Sequence, residues 1–165
     1  ECASELEQVT QHFRRAYWGI RSKSWPRHPD DEREMVATSI EGVQILRALA
    51  LAVRSEQDFD LIPPEQSIVG ALKKRNATKS DAETTKRNHG YSAMLKLPDF
   101  EPLKLRQALN KIAHADPTTA DYYVAPTDQA HDLLLFGENR GDQWFAVLSL
   151  LELIRVVRAL PDARM

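Results

Sequence analysis

The apolar residues Val147, Leu148, Leu150, Leu151, Ile154, Val156, Val157 and Leu160 crowd the carboxyl-terminal end so densely that, wound as a helix, they cover most of its circumference. A helix apolar on all sides has to lie at the centre of whatever surrounds it. Glu152, Arg155 and Arg158 interrupt the run, which falls short of the roughly 20 apolar residues needed to span a bilayer, so no membrane association is expected.

The rest of the chain supplies helices to surround it. Over residues 5–23, Leu6, Val9, Phe13, Ala16, Tyr17 and Ile20 recur at spacings of three and four, one stripe of a helix that Ser4 can cap. Pro29 followed by Asp30, Asp31, Glu32 and Glu34 is a helix start, because proline suits the first turn and carboxylates suit the positive end of the dipole. That second helix is expected to run to about residue 55, with Val36, Ile40, Val43, Leu46, Leu49, Ala50 and Val53 keeping the period. Pro64 opens an expected shorter helix carrying Ile68, Val69, Ala71 and Leu72, and the polar stretch 73–87 is the least structured. After a proline-rich linker at 97–102, a fourth helix covers 103–115 and stops at Asp116-Pro117. Residues 121–124 and 132–136, rich in aliphatic and aromatic side chains, read as a small hairpin, and the last helix starts near Asp142. The expected fold is mostly α: one helical bundle of about five helices with a small β-hairpin before the last.

Composition narrows the chemistry. At 165 residues the chain is one domain large enough to fold without disulfides or a structural metal. Its single cysteine, Cys2, excludes an internal disulfide and a cysteine-based zinc site. The amino terminus carries neither the basic start nor the apolar run of a signal peptide, and a cytoplasmic location is expected. With 22 Lys and Arg against 24 Asp and Glu, the chain is not basic throughout, so any nucleic-acid contact must come from local patches. No glycine-rich phosphate loop or metal-ligand motif is present, and no cofactor or metal is expected.

The fourth helix concentrates polar groups. Leu105, Ala108, Leu109 and Ile112 form its apolar face, while Arg106, Asn110 and His114 follow at i, i+4 and i+8 on the flank. An Arg holds phosphate, an Asn orients a hydroxyl or water, and a His moves a proton near neutrality, a set suited to phosphodiester cleavage. The plainer account is a last-turn His complementing the helix dipole beside two solvated residues.

The segment 105–115, Leu-Arg-Gln-Ala-Leu-Asn-Lys-Ile-Ala-His-Ala, resembles the motif helix of the HEPN superfamily of helical-bundle domains, in which an Arg and a polar residue precede a His. Asn110 and His114 match, and Leu109 stands where the family has its Arg. The resemblance implies a binding module acting on RNA or on a cognate toxin or antitoxin protein of a bacterial defence system. The alternative it implies is a metal-independent endoribonuclease, with His114 as general base, Arg106 on the phosphate and Asn110 beside them, completed across a homodimer. A third reading is an immunity or antitoxin protein that inhibits a partner protein.

Two basic patches bear on an RNA role. Between Gln11 and His28 there is no acidic residue, and Arg14, Trp18 and Arg21 share one side of the expected helix, placing cations beside a stacking ring. Lys73, Lys74 and Arg75 begin a second patch, expected as a phosphate-contacting loop. In both, ordinary solvated or salt-paired residues are the plainer account. His131-Asp132 would make a catalytic or metal pair only if both pointed one way, which adjacent strand residues do not.

Overall fold

The computed structural model describes residues 4–8, 10–12, 14, 29–58, 66–116, 118–125 and 131–160. Residues 4–8, 10–12 and 14 are helical. The elements that follow are α1 (Pro29–Asp58), β1 (Ile68–Lys73), α2 (Lys79–Arg87), α3 (Tyr91–Met94), β2 (Glu101–Lys104) and α4 (Leu105–His114). After them come β3 (Asp121–Val124), β4 (His131–Asn139), β5 (Asp142–Ser149) and α5 (Leu150–Ala159). The strands form one antiparallel sheet in the order β2-β1-β5-β4-β3. The protein is therefore mixed α and β, and the mostly-α bundle, with the bundle architecture implied by the HEPN resemblance, is corrected.

The correction turns on the apolar run itself. Residues 142–149 are not the start of a central helix but β5, the middle strand, paired with β1 on one side and β4 on the other. Trp144 through Ser149 are all buried because helices cover both faces of the sheet, so β5 shows no alternation of apolar and polar residues. Only from Leu150 does the run coil, with Ser149 capping α5 by accepting from the Glu152 N–H at 3.3 Å. The expected helix after Pro64 is β1 for the same reason, Val69 to Leu72 being buried throughout. At its middle, a β-carbon on Gly70 would lie 2.0 Å from the Val147 carbonyl oxygen, so glycine alone allows β1 and β5 to close.

β4 and β5 are joined by Arg140-Gly141, both at positive φ (52° and 87°), the geometry of a primed two-residue hairpin turn. The expected pairing of 121–124 with 132–136 is present as β3 on β4, matching Tyr123 with Asp132. The linker at 97–102 runs into β2, which pairs with β1. The polar stretch 73–87, expected to be the least ordered, contains α2. There the Asp81 carboxylate accepts from the Thr78 N–H at 2.7 Å and from Lys73 Nζ at 3.0 Å, fixing the helix start to β1.

The sheet divides two cores. On one face Leu72, Leu133, Trp144, Ala146 and Leu148 pack under α1, α4 and α5. On the other Ala71, Leu134, Phe145 and Val147 pack under Ala82 of α2 and Met94 of α3, with Phe136 and Phe145 ring centroids 4.7 Å apart. α1 joins the first core through Leu46, Leu49, Ala50 and Val53, while Val36, Ile40 and Leu51 are exposed. Among the described residues its stretch Val36–Asp58, whose most apolar 18-residue window has a mean hydropathy of 1.5, is the one helix long and apolar enough to cross a membrane, and part of it lies in this core.

Candidate functional site

Strand geometry sorts the basic residues after β1. Lys73 turns to the α2 face and is held by Asp81, while Lys74 and Arg75 stand at the mouth of a cavity of about 300 Å³ on the α4 face. α4 contributes Gln107, Asn110 and Lys111 to this cavity, and the β4–β5 hairpin contributes Asn139, Asp142 and Trp144. The α4 residues reach it because Leu105, Ala108, Leu109 and Ile112 fix the opposite side of the helix in the core.

Trp144 is the floor. Its ring packs against Gly137, where a β-carbon would come within 2.2 Å of Cζ2, and it lies under Lys111, whose Nζ is 4.2 Å from the ring centroid. Burial, and after it the nearby charge of Lys74, hold the Lys111 ammonium below the ordinary lysine value, with Glu101 working the other way. Carboxylates flank the mouth: Glu101 of β2 lies 2.8 Å from Lys74, and Asp142 of β5 lies 3.6 Å from Arg75. Three cations thus meet amide side chains in one concavity, an arrangement that can hold an anion bearing hydrogen-bonding groups.

The ridge Arg106, Asn110, His114 is not brought to one place. Asn110 lines the cavity. The Arg106 guanidinium clamps the end of α1, donating to the Arg54 carbonyl (3.3 Å), Gln57 Oε1 (3.2 Å) and Asp58 Oδ1 (2.6 Å). His114 is exposed in the last turn of α4. Of the first basic patch, Arg14 lines a separate groove of about 690 Å³ with Glu7, Arg155 and Arg158, while Trp18 and Arg21 lie outside the described residues. Comparison of the chain with protein-family models, with curated proteins and with solved structures finds no match.

Lys111 and Trp144 were not among the expected site residues. Lys111 follows Asn110 directly, and the apolar run of the sequence places Trp144 in the last helix. Had 142–149 been read as a strand, alternation would have placed Trp144 on one face with Ala146 and Leu148.

The opposite face holds a second group of polar side chains, with a buried carboxyl beneath an exposed histidine. Asp132 is fully buried; its Oδ2 accepts from the Tyr91 N–H at 3.1 Å, and its Oδ1 has no hydrogen-bond partner among the described residues. Burial pushes its carboxyl up to about 7, against a smaller opposing effect of that hydrogen bond. The chain turns past it at His89 and Gly90, both at positive φ (64° and 111°), and a β-carbon on Gly90 would lie 2.7 Å from Asp132 Oδ2. His89 Nδ1 and the Tyr123 hydroxyl are 3.1 Å apart. His131 points to the other face, its ring 5.7 Å from that of Tyr122, and burial with the charge of Arg14 holds it down to about 3. The two neighbours thus share no site, and among the described residues no three His, Cys, Asp or Glu side chains form a metal-ligand set.

Proposed function

We propose that the chain is an RNA-binding module whose cavity between α4, β1 and the β4–β5 hairpin takes a phosphate of a single strand. The observation that carries this reading is the convergence of Lys74, Arg75 and Lys111 on one concavity that Asn110 also lines. Phosphate oxygens accept from the two ammonium groups and the guanidinium, replacing the links to Glu101 and Asp142. Asn110, Gln107 and Asn139 offer donors and acceptors to the adjoining sugar or base edge. Trp144, buried beneath Lys111, keeps the lysine stem in place. Arg106 supports α1, so phosphate contact falls to these other cations, and binding is favoured over cleavage.

The test is fluorescence polarisation of a labelled single-stranded RNA titrated with protein across a salt series. Affinity is expected to fall with salt, log K changing by about −0.7 per log unit for each phosphate contact, and Lys74→Ala and Arg75→Ala each to weaken binding. Affinity that ignores both salt and these substitutions would overturn the reading.

A further inference from the structure

The carboxylates beside the cavity bear on which phosphate it accepts. β1 lies between β2 and β5, and just beyond its end each neighbour places an acid beside a cation, Glu101 by Lys74 and Asp142 by Arg75. A continuous strand entering from one side and leaving by the other would carry further phosphates past those acids. The cavity, at about 300 Å³, holds a compact ligand rather than a passing polymer. Lys111 sits inward, half buried against Trp144, with no carboxylate in salt-bridge range among the described residues, so its charge is left for a group that reaches the floor.

We propose that the cavity recognises a terminal phosphomonoester of a nucleotide, free or at the end of an RNA strand, in preference to an internal phosphodiester. This rests on the RNA-binding reading and narrows it. A monoester carries nearly two negative charges near neutrality and three terminal oxygens, matching Lys74, Arg75 and Lys111, whereas a diester carries one charge and two free oxygens. Asn110, Gln107 and Asn139 then meet the attached nucleoside, which distinguishes the ligand from inorganic phosphate.

Three RNA octamers of one sequence, labelled internally, separate the cases: one with a 5′-phosphate, one with a 3′-phosphate and one with hydroxyls at both ends. Tighter binding of either phosphorylated strand over the hydroxyl strand by about tenfold, lost in Lys111→Met but kept in Lys96→Ala, is the expected result. Competition with nucleoside monophosphates then reads the source: displacement of the strand at similar concentrations marks a free nucleotide as sufficient, and its failure marks the strand end as the ligand. If all three octamers bind equally, with the salt dependence described above, the terminal-phosphate inference falls and RNA binding stands. If none binds and no nucleotide binds directly by calorimetry, both fall.

Discussion

The two faces of the central sheet treat ionisable groups in opposite ways. Beside Trp144, three cations stay at least partly open to solvent, two of them answered by carboxylates at hydrogen-bond or ion-pair range. Beside Gly90, a single carboxyl is closed off with one backbone donor and no counter-charge within ion-pair range among the described residues, and burial raises it to about 7. Charge that remains reachable is available to a ligand; charge that is sealed becomes a matter of folding stability. The contrast fits the binding role proposed for the first site, while at the second Asp132 ties the 88–91 turn to β4.

The largest effect tests the sealed side. With Asp132 raised from 3.8 to about 7, the folded state bears a penalty that grows as pH rises from about 4 to about 7 and levels off at about 4 kcal/mol above that. His131, lowered from 6.5 to about 3, works with the opposite sign: its contribution is complete above 6.5 and is lost as pH falls toward 3. Between about pH 4 and 6.5 the two cancel, because the folded chain holds a neutral imidazole and a protonated carboxyl where the unfolded chain holds both charged, with the same number of protons. Asp132→Asn removes one half of the balance. Unfolding free energies from urea titrations should then rise with pH through that window by about 1.4 kcal/mol per pH unit relative to wild type, and the variant should be the more stable above pH 7. Parallel profiles for the two proteins would show that Asp132 is ionised in the fold and break the comparison.

Next in size, Gly137→Ala drives a β-carbon into the Trp144 ring and should cost about 1–3 kcal/mol in thermal unfolding. Because that ring supports Lys111, RNA affinity should fall with it, whereas Asp132→Asn should leave affinity alone. Lys111→Met sharpens the same distinction by keeping the stem and removing the charge. The melting midpoint should hold while the salt slope of RNA binding drops by about 0.7. Smallest is His114→Ala, at an exposed position in the last turn of α4, which should lose about 0.5 kcal/mol of helix-dipole complementarity at most and no RNA affinity. Cleavage of RNA by the wild type but not by this variant would instead favour a nuclease.

The helices with one wet side were legible in the sequence. α1 begins at Pro29, and α4 occupies most of the stretch read as helix, because a half-exposed helix prints its period in polar and apolar residues. β1 and β5 print no period: Val69 to Leu72 and Trp144 to Leu148 are apolar because both sheet faces are covered, and such runs do not separate strand from helix. α2 is not legible in the polar stretch 73–87, because the use of Asp81 as a cap depends on Lys73 and Thr78 being next to it in space. The site was half legible for the same reason. Lys74, Arg75 and Asn110 stand out by type, whereas Trp144 becomes its floor only once residues 142–149 are a strand.

The turn at Arg140-Gly141 also orders events in time. It joins the two strands at the centre of the sheet with a two-residue loop, so the β4–β5 hairpin closes on the microsecond scale of local hairpins. β1 must close a long loop to reach β5, Gly70 pairing with Leu148 across 78 residues of sequence, and so pays a loop-closure entropy that the hairpin does not. Until it arrives, the edge of β5 offers unpaired backbone groups beneath Phe145 and Val147, a template for any extended segment that comes first. Folding yield should therefore depend on protein concentration more steeply than the stability of the finished molecule would require.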